Sequence, residues 1–166
     1  MTRGKLPLGI QNFEELRKGG YLYADKTDMV WQIANGDKYN FLSRPRRFGK
    51  SLLVSTLQCY FEGKKELFEG LKIMELEEEW TEYPVIRLDM SGAGATAAEI
   101  KDYLNLEFSK YEALYSIKPK ETSRESVRFQ VILDTAYQKT GKQVVVLIDE
   151  YDSPLQHSWK TPEHEG

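Results

Sequence analysis

Tyr39–Phe61 reads YNFLSRPRRFGKSLLVSTLQCYF, and its three parts differ in pattern. Tyr39–Ser43 is a short, largely apolar run that predicts a β-strand. Arg44–Ser51 is basic and contains Pro45 and Gly49, which predicts a loop. Apolar residues and Thr56 then recur at helical spacing: Leu52, Leu53, Thr56, Leu57, Tyr60 and Phe61. The stretch therefore predicts strand, loop and helix in succession.

The loop ends in Gly49-Lys50-Ser51, the last three positions of the phosphate-loop pattern G-x-x-x-x-G-K-[ST]. Such a loop needs exposed backbone N–H groups, a lysine that reaches the β and γ phosphates, and a hydroxyl for magnesium. We therefore predict that Lys50 is catalytic and that Ser51 is a metal ligand. The predicted nucleotide contacts come from consecutive residues: Arg46, Arg47, Phe48, Gly49, Lys50, Ser51 and Leu52.

The first glycine of the pattern is replaced by Arg44, so the predicted loop is a variant. Pro45 stiffens its entry and biases Arg44 toward extended backbone. The arginines of Arg44–Arg47 allow three interpretations: additional phosphate contacts, contacts to a nucleic-acid backbone, or solvated charge.

Val144–Ile148 (VVVLI) is a continuous β-branched and aliphatic run followed by Asp149 and Glu150. Such a run predicts a strand buried on both faces of a parallel sheet. In the Walker B arrangement Asp149 would hold magnesium and Glu150 would polarise the attacking water. The alternative is a helix cap or surface charge after a core strand.

Alternating strand and helix patterns over the rest of the chain predict an α/β fold with three αβα layers and a mostly parallel sheet. We expect the following further elements: a helix over Phe13–Lys18 capped by Asn12, a short strand over Tyr21–Ala24, a helix ending near Ala34, a strand over Pro84–Met90, and a helix over Ser123–Lys139. A long helix is also expected, because a series of mostly apolar residues would share one helix face. These residues are Ile100, Tyr103, Leu104, Glu107, Phe108, Tyr111, Leu114 and Tyr115.

Two short polar segments each allow two interpretations. Asp25-Lys26-Thr27 either contributes to the nucleotide site or caps a helix. Asp89-Met90-Ser91-Gly92, at the end of the predicted strand Pro84–Met90, either touches substrate or metal, or forms a turn.

Composition narrows the class of protein. The chain has 166 residues, 40% hydrophobic and 30% charged, with a net charge of −3. One cysteine excludes an internal disulfide, and two histidines give no zinc pattern. No apolar run approaches the length of a membrane-spanning helix. A cytoplasmic protein without membrane contacts is therefore expected.

Four segments resemble the bacterial AAA-ATPase-like family: Leu8–Phe13, Tyr23–Thr27, Phe41–Ser51 and Leu147–Leu155. The RPRRFGKS string is the most specific of them, and the family shares the absent first glycine. The resemblance spans residues 1–166 and implies a P-loop NTPase domain that uses ATP and Mg²⁺. Members of the family often carry a PD-(D/E)XK nuclease-like domain further along the chain.

ATPases of this class place a further strand, with a polar sensor residue, between the P-loop strand and the Walker B strand. No strand pattern follows Ile148, so we expect residues 1–166 to be the N-terminal part of the domain, truncated after the Walker B strand. Weak or no ATP turnover by this chain alone is then expected, and open sheet edges would favour self-association.

The leading functional hypothesis is ATP binding, with Mg²⁺-dependent hydrolysis in the complete protein. One alternative is a regulatory module that binds a nucleotide without hydrolysing it. The other is a module that contacts nucleic acid or a protein through Arg44–Arg47.

Overall fold

The computed structural model describes residues 5–42, 49–118 and 124–153. The chain divides into two compact units, residues 1–82 and residues 83–166, which we call unit 1 and unit 2. Each unit is built around its own group of buried side chains.

The described part of unit 1 is helical. Its elements in chain order are α1 (Phe13–Lys18), α2 (Thr27–Ala34), α3 (Lys50–Phe61), a 3₁₀ helix (Lys65–Phe68) and α4 (Ile73–Leu76). Asn12 caps α1 by accepting the N–H of Glu15 at 2.9 Å, as predicted. Aromatic rings form much of the interior, since Phe68 is fully buried with its ring centre 4.9 Å from Phe13 and 5.1 Å from Trp80.

Two predicted strands of unit 1 are wrong for the residues that the structure describes. Tyr21–Ala24 is reduced to one isolated bridge between Lys5 and Tyr21. Of the predicted strand Tyr39–Ser43, Ser43 lies outside the described residues and Tyr39–Leu42 is not a strand; the side chains of Tyr39 and Phe41 are 83% and 75% exposed. A strand depends on a pairing partner more than on its own sequence, and no strand in the described residues pairs with this segment.

Unit 2 is α/β. Its elements are β1 (Val85–Asp89), a 3₁₀ helix (Met90–Gly92), α5 (Ala97–Leu114), α6 (Glu125–Thr140) and β2 (Val145–Asp149). Thr96 and Glu99 form a reciprocal capping box at the start of α5. Gly141 ends α6 with φ of 67°, a left-handed conformation that glycine adopts at little cost.

Strands β1 and β2 pair in parallel, with Val85 opposite Val145 and Asp89 opposite Asp149. Ile86 and Leu88 point to the face where Phe108 of α5 and Ile132 of α6 form a buried cluster with them. Both crossover helices therefore pack on one face of the sheet.

The prediction that Val144–Ile148 is buried on both faces is wrong for the described structure. Val146 and Ile148 are 37% and 51% exposed. The register places them beside Ile86 and Leu88, on the face that α5 and α6 cover over β1. The helices thus bury the β1 side of this face and leave the β2 side open to solvent.

The predicted stripe on α5 is partly confirmed: Phe108 is buried, whereas Leu114 is 66% exposed. Among the helices of residues 5–42, 49–118 and 124–153, none combines the length and the apolar character needed to cross a membrane.

Candidate functional site

The predicted phosphate-binding residues Lys50 and Ser51 open helix α3. Gly49 precedes them with φ of 74° and ψ of 26°, a left-handed conformation. A Cβ at this position would meet no atom within 4 Å, so the backbone angle, rather than lack of space, favours glycine here. Helix α3 begins directly after this left-handed residue.

The position of α3 is fixed by its contact with α1. Ser55 accepts a hydrogen bond from the backbone N–H of Phe13 at 2.9 Å, and both residues are buried. Leu53 and Leu57 are also buried, one turn apart on the same face. The start of α3 is therefore held by packing along the rest of the helix.

The N-terminus of α3 has features that suit an anion. The cap residue Gly49 has no side chain that could accept hydrogen bonds from the first N–H groups of the helix. The first turn also contains no acidic residue that would repel an anion. The first N–H groups of a helix have no acceptor inside it, and the helix dipole makes this end partly positive. Lys50, Ser51 and Leu52 are each half-buried. This end can therefore bind a phosphate through backbone amides, with a lysine and a hydroxyl beside it.

The predicted contacts of Arg46, Arg47 and Phe48 lie outside the described residues, as does the remainder of the Arg44–Arg47 cluster. Their roles stay predictions.

The acidic pair lies at the carboxyl end of β2 in unit 2. Asp149 is only 2% exposed, although it is a carboxylate. Its neighbour across the sheet is Asp89, at the end of β1. Ligands of open α/β sheets bind at this end of parallel strands.

Both carboxylate oxygens of Asp149 are hydrogen-bonded. Oδ1 accepts the backbone N–H of Glu150 at 3.0 Å. Oδ2 accepts from Nη2 of Arg87 at 3.2 Å, forming an ion pair across the two strands. A buried carboxylate needs such partners, because burying an unpaired charge is costly.

Glu150 has a positive φ of 50°, in the left-handed region that non-glycine residues seldom adopt. The strand therefore ends abruptly at Asp149, and the half-buried Glu150 departs from the strand direction. Unusual backbone at a strand end often marks a functional position.

Sequence reasoning missed Arg87 and the tyrosine that holds it. The hydroxyl of Tyr111 on α5 accepts the backbone N–H of Arg87 at 2.7 Å and donates to its carbonyl oxygen at 2.9 Å. Burial raises the pKa of Tyr111, so the hydroxyl keeps the proton that it donates. The sequence did contain a signal for this contact, because Arg87 lies inside a strand pattern. An arginine in a buried strand requires an acidic partner.

These bonds also close the outer edge of β1. In a parallel ladder the N–H and C=O of one residue point to the same edge. Both groups of Arg87 bond to Tyr111, so they face away from β2, and Tyr103 donates to the carbonyl of Asp89 on the same edge. Tyrosine hydroxyls therefore occupy the positions that a further strand would need beside β1.

The segment Asp25–Thr27 connects parts of unit 1. Oδ1 of Asp25 accepts from the N–H and hydroxyl of Thr27 at 2.9 and 2.7 Å, and Oδ2 accepts the N–H of Lys72 at 2.8 Å. Thr27 is fully buried and accepts the N–H of Ile73 at 3.1 Å. Burial acts to raise the pKa of Asp25, but the hydrogen bonds from Thr27 and Lys72 outweigh it and lower the pKa. Oδ1 of Asp25 therefore bonds the first N–H of α2, whose cap residue Lys26 makes no side-chain cap hydrogen bond, and these contacts link α2 to α4. The proposed contribution of the segment to the nucleotide site stays a prediction.

Asp89 forms the predicted turn, because its Oδ1 accepts the N–H of Ser91 at 3.0 Å. Ser51 and Asp149, the predicted metal ligands, belong to unit 1 and unit 2 respectively. Both offer oxygen atoms, the donors that Mg²⁺ takes, and each carboxylate oxygen of Asp149 retains lone-pair capacity beyond its single hydrogen bond. Within the described ranges, no three His, Cys, Asp or Glu side chains come together as a metal-binding group.

Comparison with known proteins assigns the family. The sequence model of the AAA-ATPase-like family, described as "Predicted AAA-ATPase", matches residues 7–165. The chain therefore belongs to this family, which suggests ATP binding.

A curated relative from Azotobacter chroococcum mcd 1 carries the description "Uncharacterized protein in vnfD 5'region" and is 39% identical over 170 residues. The match covers 98% of this chain and 32% of the relative, so the chain spans about a third of the length of that protein. No solved structure matches the chain.

Proposed function

We propose that the protein binds ATP with its phosphates at the N-terminus of α3, and that Ser51 and Asp149 are ligands of Mg²⁺. The observation that carries the proposal is that α3 begins at Lys50-Ser51 immediately after the left-handed Gly49, in a chain of the AAA-ATPase-like family. The backbone amides and Lys50 would bind the β and γ phosphates. A bound Mg²⁺ would neutralise phosphate charge.

Hydrolysis in the complete protein is the second part of the proposal. Glu150 would orient and polarise the attacking water, next to the metal ligand Asp149. Support comes from its position, because it directly follows the buried Asp149 at the end of a parallel strand and leaves the strand direction. Hydrolysis requires a bound nucleotide, so binding is the primary property to test.

We also propose the P-loop NTPase-like three-layer fold for the domain to which residues 1–166 contribute. The parallel pairing of β1 and β2 supports it. So does the closed outer edge of β1, because a further strand would then have to join beside β2, next to Asp149. In ATPases of this class the strand with the sensor residue takes that place.

The test is ATP binding measured by calorimetry in the presence of MgCl₂. Lys50→Ala should weaken binding by at least about tenfold, since it removes a cation that contacts phosphate. Lys65→Ala is the matched control, because Lys65 is an exposed lysine of the same unit and should leave affinity unchanged. Equal affinity of wild type and Lys50→Ala, or no binding by either, would reject the proposed site.

A role of Arg44–Arg47 in nucleic-acid binding is a separate prediction. DNA binding that weakens steeply with salt and persists in Lys50→Ala would support it.

A further inference from the structure

Arg87 is the basic side chain that meets Asp149. It lies in the middle of β1, opposite Leu147, and the register puts Asp149 two residues further along on the same face. Its Nη2 atom is 3.2 Å from Oδ2 of Asp149, and the two side chains are 22% and 2% exposed. The cation is therefore part of the surroundings of the carboxylate and not a distant surface charge.

The backbone of Arg87 is fixed independently of this ion pair. The Tyr111 hydroxyl binds both its N–H and its carbonyl oxygen, at 2.7 and 2.9 Å. The neighbouring residues Ile86 and Leu88 are buried against α5 and α6. The guanidinium therefore extends from a rigid point of the backbone.

A metal ion at Asp149 would meet this guanidinium. Oδ1 already accepts the N–H of Glu150, and Oδ2 is the oxygen that accepts from Arg87. A divalent cation bound at either oxygen would lie within a few ångströms of the guanidinium charge, where repulsion is strong at the effective dielectric constant of a protein. Without metal, in contrast, the guanidinium stabilises the buried carboxylate.

We propose that Arg87 is a positioning residue that holds the carboxylate of Asp149 in the metal-free protein, and that Mg²⁺ competes with its charge for the same carboxylate. This rests on the proposed role of Asp149 as a metal ligand. Arg87 then sets the Mg²⁺ concentration at which the site fills, because its charge repels the metal at this carboxylate.

The experiment titrates MgCl₂ into the purified protein at saturating ADP and follows the unfolding temperature. Arg87→Gln removes the charge and should lower the half-saturating Mg²⁺ concentration by about tenfold, while lowering the unfolding temperature without metal. Arg87→Lys keeps the charge and should remain within about threefold of wild type. Asp149→Asn should abolish the Mg²⁺ response.

A second readout uses the wild-type protein and does not depend on the folding of a variant. The side-chain ¹⁵N–¹H resonance of Arg87, assigned by its absence in Arg87→Lys, should shift when Mg²⁺ is added to the ADP-bound protein. If the resonance stays unchanged while Mg²⁺ raises the unfolding temperature, the proposed competition between Arg87 and Mg²⁺ is overturned.

The other outcomes separate this inference from the proposed function. Loss of stability in Arg87→Gln with an unchanged Mg²⁺ response would mean a structural role only and would overturn the inference alone. Weaker ADP binding by Arg87→Gln without metal would place Arg87 on the phosphates and would also overturn it. If the wild type shows no Mg²⁺ response, or Asp149→Asn keeps it, the metal role of Asp149 fails and the inference fails with it.

Discussion

Replacing Glu112 by alanine should destabilise the layer of helices that supports β1. Glu112 on α5 is buried and accepts two hydrogen bonds from Arg128 on α6, with Nε–Oε1 and Nη2–Oε2 distances of 2.7 Å. The side chains of Arg128 and Glu112 are 12% and 5% exposed. The pair raises the pKa of Arg128, with the hydrogen bond to Glu112 as the largest cause.

Removing one partner of a buried ion pair costs about 3–5 kcal/mol, because the other charge stays buried without compensation. Arg128 also donates to Asn105, so we expect the lower end, about 3 kcal/mol. For a chain of this size that corresponds to a fall in the unfolding temperature of about 6–12 °C. Urea unfolding followed by circular dichroism measures the free energy directly.

The structure offers a matched control on the same two helices. Lys101 and Glu125 form an ion pair between α5 and α6 at 3.5 Å, but their side chains are 62% and 27% exposed. Lys101→Ala should leave the urea midpoint unchanged within error, because exposed pairs contribute little. The double variant Glu112→Leu/Arg128→Met should recover much of the loss. The reasoning is refuted if Glu112→Ala and Lys101→Ala have the same small effect.

Two further predictions concern single carboxylates. Hydrogen bonds from Lys18 and then Lys64 lower the pKa of Glu14 to about 2 from 4.5, so the stability it contributes is full above its ordinary pKa and is lost as the pH falls toward 2. Thermal unfolding at a series of pH values should therefore show a smaller loss on acidification for Glu14→Gln than for wild type, and parallel curves would contradict this. At Glu150, whose φ is 50°, glycine should give a protein more stable than alanine by about 1 kcal/mol, since alanine is strained there. Urea unfolding that ranks alanine equal to or above glycine would argue against the left-handed backbone.

Local signals predicted the longer helices and α1, but not the short α4. Asn12 and Gly19 bound α1 at the predicted residues, and α3 starts at the lysine that follows Gly49. Such boundaries depend on backbone groups within a few residues of each other, so the sequence contains the relevant information. Tyr39–Leu42 shows the opposite case, because an apolar run becomes a strand only when another strand pairs with it.

The sequence predicted where the motif residues of the candidate site lie in the secondary structure, but not which side chains contact them. Lys50, Ser51, Asp149 and Glu150 stand at a helix start and a strand end, as their patterns indicated. The contact between Arg87 and Asp149 joins residues 62 positions apart and depends on the register of β1 against β2. Glu112 was missed for the same reason, since its partner lies on another helix.

The central claim is that the start of α3 binds the phosphates of ATP. Calorimetric titration of ATP with MgCl₂ into wild type, Lys50→Ala and Lys65→Ala tests it most directly. The account predicts binding by wild type and Lys65→Ala, and at least about tenfold weaker binding by Lys50→Ala. Equal affinities for all three proteins, or no binding by wild type, would contradict it.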